Sequence, residues 1–331
     1  MRKVLVVIGV VALFACSDSS GPSVGPPASL AIVAGGAAQV GRFGEAVPIT
    51  PTVLVADANN RPVPNVAVTF AIGAGGGSVA SATQTTGANG SASTAWTMAN
   101  TFGTKTMTAT VQGLSPVVFT ASAIAPDAGV LAFTLADPAG DTLPNPTGFP
   151  PTSHDLVLLR GDFKRDSLIL TVTFNGPISA GSASTASIGG YLEIDIDDNS
   201  NTGYDVIANE FGATAALGIE YELDMFESDG VSLLLYNADS AAVVKASFSG
   251  NTLVVRIPMS RLSNDDGNFS LAGVVGNTER PTDIFPNTGQ GLVRRGNISA
   301  TSASSVRAQK SPLLNSTLGS HRWAKLRGRQ R

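Results

Sequence analysis

The sequence is poor in the residues that build most catalytic centres. It has one cysteine, Cys16, and two histidines, His154 and His321. A single cysteine excludes an internal disulfide, and without a group of Cys and His residues there is no zinc-site pattern. A Ser-His-Asp triad would have to use His154, and no G-x-S-x-G turn precedes it. A phosphate-binding G-x-x-x-x-G-K-[ST] loop is missing as well. The sequence therefore predicts no enzyme of these classes.

Large and charged side chains are also scarce. Aromatic residues make up 6% and charged residues 14% of the 331 residues, whereas glycine occurs 36 times among abundant Ala, Ser, Thr and Val. This mixture favours short strands joined by turns over helices packed on large side chains. The length is sufficient for two domains of ordinary size. We therefore expect an all-β protein with two β-sandwich domains.

Acidic residues are concentrated in one part of the chain. Residues 17–125 carry three acidic and three basic side chains, whereas residues 126–293 carry 22 acidic and 7 basic ones, a net charge of −15. Residues 294–331 carry nine basic residues and no acidic one. The acidic part should attract cations and repel nucleic acid, so no nucleic-acid partner is expected. Two interpretations of the basic tail stay open: binding to anionic lipid or polysaccharide, and a disordered extension.

The first 27 residues have the pattern of an exported, membrane-anchored protein. Arg2 and Lys3 precede an apolar run at 4–14, which is too short for a membrane-spanning helix and predicts a cleaved signal peptide, residues 1–15. The residues LFAC, ending at Cys16, resemble the lipobox of bacterial lipoproteins. That resemblance implies lipidation of Cys16 and a place in the bacterial cell envelope, with Ser17 permitting the outer membrane. The alternative is an ordinary secretory signal with an incidental cysteine. Residues 16–27 are expected to form a flexible tether.

Residues 28–125 show short β-branched strands separated by turn dipeptides such as Asn89-Gly90. Their spacing fits an antiparallel sandwich of about 100 residues. The segments VADANNRPVPNVAVTFAI, TTGANGSASTAWTM and VVFTASA resemble the bacterial Ig-like domain of the invasin/intimin group. The resemblance implies a stalk or spacer of a surface protein, in some members with an adhesive tip. Trp96 alternates with apolar neighbours, which predicts a core position.

Residues 126–293 contain eight or nine predicted strands, which indicates a jelly roll or a two-sheet sandwich. The segments DPAGDT, HDLVLLRGDF, EIDIDDNSNTGYD, LVVRIPMSRL and TDIFPNTG resemble the DOMON-like group, which includes family 9 carbohydrate-binding modules. The resemblance implies a calcium-stabilised β-sandwich that binds sugars or, in some branches, haem. Haem requires an axial ligand such as His or Met. His154 lies on a predicted turn and Met225 among core-facing residues, so haem is disfavoured.

The stretch 191–205, YLEIDIDDNSNTGYD, begins as a strand and breaks into a polar loop. Its crowded carboxylates repel one another unless water or a cation intervenes, and calcium takes several oxygen ligands from such residues. The loop is not an EF-hand, because Ser200 replaces the turn glycine and Val206 stands where a bidentate Glu is needed. We predict a calcium site closed by distant acidic residues, with a solvated acidic turn as the alternative. The predicted ligands are Asp195, Asp197, Asn199, Asn201, Asp205, Asp137 and Asp283, with Asp141 as a further candidate.

Tyr191 and Tyr204 flank this loop and are the predicted ligand-binding residues, because a sugar site needs an exposed aromatic platform; the alternative is that they cap the sandwich edge. The strand at 219–226 places Glu220, Glu222 and Asp224 on one face. Three interpretations of that face stay open: a carboxylate pair for glycan hydrolysis, a secondary cation site, and a solvated surface.

The predicted function is non-catalytic binding or adhesion at the cell surface, directed at carbohydrate. A glycan-degrading enzyme and a purely structural spacer are the alternatives.

Overall fold

The computed structural model describes residues 23–144, 154–181, 186–226, 228–277 and 280–293. In these ranges the chain forms two domains of β-strands with two short 3-10 helices, so the predicted all-β class is confirmed. The signal peptide, Cys16 and the basic tail lie outside the described residues. No helix within the described ranges is both long enough and apolar enough to cross a bilayer.

The first domain has ten strands in its described part. They are β1 (Ser29–Ile32), β2 (Ala38–Arg42), β3 (Thr52–Ala56), β4 (Ala67–Ile72), β5 (Ser78–Val79), β6 (Thr83–Thr85), β7 (Ser91–Ser93), β8 (Trp96–Thr97), β9 (Gly103–Thr110) and β10 (Val117–Ile124). One sheet has the order β2-β10-β9-β4-β6, a second has the order β1-β3-β7, and β5 pairs with β8. Strand β2 runs parallel to β10, whereas β9 is antiparallel to both of its neighbours.

Alternating burial along the strands builds the core of this domain. In β9, Met107 and Ala109 are buried while Thr106 and Thr110 are exposed, as a strand with one face on a core requires. Trp96 is fully buried, and its Nε1–H donates to the backbone oxygen of Gly76 at 2.8 Å. The prediction that Trp96 belongs to the core is confirmed.

The second domain has eleven strands and both 3-10 helices in its described part. They are β11 (Val130–Ala136), β12 (Leu156–Lys164), β13 (Ser167–Phe174), β14 (Gly189–Asp195), η1 (Ile207–Phe211), β15 (Tyr221–Asp224), β16 (Ser232–Tyr236), β17 (Ala241–Ser249), β18 (Thr252–Pro258), η2 (Met259–Leu262), β19 (Phe269–Gly276), β20 (Pro281–Phe285) and β21 (Gly291–Val293). Their order is β11-β12-β13-β18-β17-β16-β15-β14-β19-β20, and β21 pairs with β19. The described strands thus form one continuous hydrogen-bonded sheet. The sheet curves, so that β11 and β12 lie beside β21 and β20.

The strands β14 and β15 carry apolar side chains on one face and acidic ones on the other. Leu192 lies opposite Leu223 on the inner face, and Glu193 lies opposite Glu222 on the outer face. The outer face is covered by the segment 196–220, whose apolar residues form a second core with the sheet. Glu193 is 0% and Glu222 is 6% exposed. The interpretation of the face of Glu220, Glu222 and Asp224 as a solvated surface is therefore wrong for Glu222, because the segment that joins β14 to β15 excludes water from it.

The two domains share one continuous apolar core. The ring of Phe102 lies 4.8 Å from that of Phe43 in the first domain and 4.9 Å from that of Phe163 in the second, edge to face in both cases. The N–H of Ala125 donates to the backbone oxygen of Arg165 at 2.7 Å. The connection at 125–129 is therefore hydrogen-bonded to the second domain.

Candidate metal-binding sites of the second domain

The acidic loop begins where β14 ends. Because β14 and β15 are antiparallel with Ile194 opposite Tyr221, Asp195 and Glu220 lie next to each other at the end of the ladder. Asp197 follows two residues further along the chain. One carboxylate oxygen from each of Asp195, Asp197 and Glu220 lies within 4.8 Å of the others. Since calcium binds oxygen at about 2.3–2.6 Å, one ion could contact all three oxygens.

Hydrogen bonds to the same carboxylates close this loop. Glu220 Oε2 accepts the N–H of Ile196 at 3.0 Å, and Asp195 Oδ2 accepts the N–H of Gly218 at 3.2 Å. The hydroxyl of Thr202 donates to Glu220 Oε1 at 3.1 Å. Each carboxylate oxygen has two lone pairs, so these bonds leave acceptor capacity for a cation.

The electrostatics of the loop also favour a cation. Burial raises the pKa of Asp195. Burial, followed by the negative charges of Asp197 and Asp195, raises the pKa of Glu220. A bound divalent ion would offset the cost of ionising these groups, because it supplies the opposite charge at short range. Asp195 is 0% exposed whereas Asp197 is exposed, so the group lies at the surface with one side towards solvent.

The structure brings two of the predicted loop ligands together, Asp195 and Asp197. Asn199 and Asn201 are exposed and form the turn itself, in which Asn199 Oδ1 accepts the N–H of Asn201 at 3.2 Å. Asp205 is exposed and is not part of the carboxylate group. Ligand roles for these three residues stay predictions.

Two predicted ligands lie elsewhere. Asp137 and Asp283 form a second carboxylate group with Asp141, in which one oxygen from each lies within 4.8 Å of the others. The register explains the separation, because Asp195 pairs with Ser270 near the start of β19 and Asp283 pairs with Val275 near its end. At about 3.4 Å per residue the two groups are about 17 Å apart along this strand. The predicted ligands that the sequence analysis assigned to one calcium site are thus divided between two groups of carboxylates.

The two predicted ligand-binding tyrosines have opposite environments. Tyr191 is 0% exposed, and its ring lies 5.4 Å from that of Phe226 in the second core, so it cannot form an exposed platform. Tyr204 is 56% exposed. Its backbone forms an isolated bridge with Ile219, the residue before Glu220, which places Tyr204 at the rim of the acidic loop. Its role in ligand binding stays a prediction.

Sequence reasoning missed the part that Glu193 plays. Its carboxylate accepts the N–H groups of Ile207 at 2.5 Å and Ala208 at 3.1 Å, and thereby holds η1 on the sheet. Burial raises the pKa of Glu193 to about 7. The alternation of apolar and acidic residues in 191–197 was visible in the sequence, but the segment that covers the acidic face was not.

Further carboxylates surround the start of β19. The hydroxyl of Ser270 donates to Asp198 Oδ1 at 2.5 Å. Burial, together with the charges of Asp266 and Asp198, raises the pKa of Asp265 to about 6. The negative potential at this end of the domain therefore extends beyond the three carboxylates of the loop site.

No protein-family model matches the chain, and a search of curated proteins finds no match. Similar solved structures include a C-terminal 282-residue fragment of intimin in complex with the intimin-binding domain of the translocated intimin receptor, with 13% identity, a TM-score of 0.25, and coverage of 83% of this chain and 65% of the fragment. The Yersinia pseudotuberculosis adhesin InvE has 14% identity, a TM-score of 0.28, and coverage of 80% and 58%. Domains 5–6 of the S-layer protein SbsC have 12% identity, a TM-score of 0.22, and coverage of 82% and 99%. The matched part is less than two thirds of the intimin fragment and of InvE. At these scores the similarities carry no argument about function.

Proposed function

We propose that the protein is a lipid-anchored component of the bacterial cell envelope whose second domain binds a surface carbohydrate without catalysis. In this proposal a calcium ion held by Asp195, Asp197 and Glu220 fixes the shape of the binding loop. The observation that carries the proposal is the convergence of these three carboxylates, next to a backbone bridge that joins the exposed residue Tyr204 to Ile219.

The geometry of the rim supports a sugar as the ligand. The N–H of Tyr204 donates to Ile219 O at 2.9 Å and the N–H of Ile219 donates to Tyr204 O at 3.0 Å, so the backbone next to Glu220 is held in place. A calcium ion with free coordination positions accepts hydroxyl oxygens. An exposed aromatic ring offers an apolar face to the C–H groups of a sugar while its hydroxyl remains in water. The two features together suit a polyhydroxylated ligand.

The burial of the other acidic residues supports binding rather than hydrolysis. Glu193, Glu222 and Asp224 are 0%, 6% and 4% exposed. A glycan could contact Glu193 only if the segment 196–220 moved away, because the carboxylate of Glu193 is bonded to the backbone of η1. Glu220 points instead into the acidic loop. The face proposed for glycan hydrolysis is therefore occupied by structural contacts.

The rest of the chain supports a display role. The lipobox-like residues before Ser17 would place acyl chains on Cys16, and each buried methylene contributes about 0.8 kcal/mol to membrane binding. The first domain would then act as a spacer between the membrane and the second domain. The contact of Phe102 with Phe163 makes the spacer continuous with the domain that it carries.

A glycan array probed with the full chain in detergent tests the carbohydrate ligand. We expect saturable, calcium-dependent binding that falls at least tenfold in Tyr204→Ala, which removes the exposed ring. The matched control is Val243→Ala, because Val243 is also exposed, at 68%, and lies on β17 away from the loop. Absence of saturable glycan binding with calcium present would leave a structural spacer as the function.

Metabolic labelling with a fatty acid tests the anchor. The wild-type chain should take up label and fractionate with membranes, and Cys16→Ser should do neither, because the chain has no second cysteine. Uptake of label by Cys16→Ser would contradict the anchor.

A further inference from the structure

Three acidic residues from separate segments of the second domain meet at one point. Asp137 directly follows β11, Asp141 lies in the loop after it, and Asp283 is in the middle of β20. One carboxylate oxygen from each lies within 4.8 Å of the others. Two oxygens bound to the same calcium ion are at most about 5 Å apart, so one ion fits this group.

A neighbouring amide indicates that the group holds a ligand. The Nδ2 of Asn287 donates to Asp137 Oδ1 at 3.0 Å and also to Asp141 Oδ2, so this side chain is aimed into the group. Its Oδ1 is buried and accepts no hydrogen bond from any described residue. A rotation of the amide by 180° exchanges the two ends and directs Oδ1 at the carboxylates. That orientation is favourable only when a cation lies between the oxygens.

Asp155 provides a second buried oxygen beside the group. The residue is 2% exposed, and its Oδ2 accepts the N–H of Gly140, within the turn that joins Asp137 to Asp141, at 2.7 Å. Its Oδ1 is buried and accepts no hydrogen bond from the described part of the chain. The next residue, Leu156, donates its N–H to Asp283 Oδ2 at 3.0 Å. Asp155 therefore lies next to the same group with one buried oxygen that no described residue bonds.

We propose that Asp137, Asp141, Asp283 and Asn287 form a second calcium site, independent of the acidic loop, and that the bound ion joins the two ends of the curved sheet. Strand β11 begins the sheet order and β20 ends it. The turn after β11 is bonded to β20 through the N–H of Leu143 and the backbone oxygen of Thr282, at 2.7 Å. An ion ligated from both segments would clamp this seam.

Calcium stoichiometry tests the site directly. Equilibrium dialysis of the full chain in detergent, with Ca²⁺ alone as the probe, should give two ions per chain. Asp141→Asn and Asp197→Asn should each remove one ion, from the seam and from the loop respectively. Asp239→Asn is the control, because Asp239 is an exposed acid in the turn before β17. A wild-type chain that binds one ion, lost in Asp197→Asn, would overturn the second site and leave the loop site intact.

Hydrogen exchange tests the clamp without substituting any carboxylate of the seam. The amides of Leu143 and Leu156 should exchange at least tenfold more slowly with calcium than with chelator, because both belong to the seam. This protection should persist in Asp197→Asn and disappear in Asn287→Ala, which keeps every carboxylate. Equal exchange of the two amides with and without calcium in the wild-type chain would refute the clamp, whatever the glycan array shows.

Discussion

The two domains use acidic side chains in different ways. The first domain has few of them, and its buried Asp57 accepts the backbone N–H groups of Gly25, Asn59 and Arg61 while it also pairs with the Arg61 side chain. In the second domain, Glu193 and Asp195 are fully buried and hold the long segment 196–220 by its backbone. Buried carboxylates thus replace regular backbone pairing where a loop must be fixed on a sheet. In the first domain, Arg61 supplies the charge that opposes the buried Asp57. In the second domain, the carboxylates lie together in groups that could hold a cation.

The largest effect should come from the contact between the two domains. If their apolar core is shared, the domains should unfold together rather than separately. Phe102→Ala should lower the free energy of unfolding by about 3–5 kcal/mol and divide a single unfolding transition into two, because Phe102 packs on both Phe43 and Phe163. Calorimetry measures both effects. Val118→Ala, at a 49% exposed position of the first domain, is the control. A loss confined to the first domain would show that the two cores are independent.

The next largest effect should come from calcium removal, which should lower the melting temperature of the second domain and leave that of the first unchanged. An ion present at 100 times its Kd stabilises the native state by about 2.7 kcal/mol. For a domain of this size that corresponds to a rise in Tm of about 5–10 °C. Calorimetry with calcium and with chelator should therefore shift the unfolding of the second domain. In Phe102→Ala, where the transitions are resolved, the first should stay in place. Unchanged melting of both domains on chelation would contradict calcium binding at either site.

Loss of the η1 anchor should have a smaller effect. Glu193→Gln places an amide NH₂ against the N–H donors of Ile207 and Ala208, which should cost about 1–3 kcal/mol. Urea unfolding measures the loss, and limited proteolysis should show faster cleavage within 196–220. Glu210→Gln, an exposed position in the same segment, is the control. Equal cleavage of the two variants would show that Glu193 is not the anchor.

The weakest effect should be the acid sensitivity of the first domain. The N–H of Gly25, followed by contacts with Arg61, lowers the pKa of Asp57 below its usual value of 3.8. A lowered folded-state pKa stabilises the fold above the unfolded value, and this stabilisation is lost as the pH falls through the folded one. Unfolding measured below pH 4 should therefore show a loss of stability that Asp57→Asn lacks. Asp239→Asn should retain the wild-type slope, and an equal slope in all three chains would exclude Asp57 as the cause.

Local patterns predicted much of this fold. The strand expected at the start of 191–205 corresponds to β14, because apolar and acidic residues alternate there, although the structure buries both of its faces. Glu220 was assigned to a separate candidate cation site rather than to the loop of Asp195, because their contact depends on the pairing of β14 with β15. The burial of Tyr191 was missed for a related reason, since the segment 196–220, which leaves β14, folds back over its face.

By itself the sequence determined the all-β class, the core position of Trp96 and the concentration of negative charge in the second domain. These properties follow from composition and from a two-residue period, which act over a few neighbouring residues. Tertiary structure alone decided which acidic residues meet, because β19 holds Asp195 and Asp283 at opposite ends while strand order brings Asp137 to Asp283. Residues far apart in the sequence supply each group of carboxylates, and only strand pairing brings them together, so the groups exist only after the sheet has assembled.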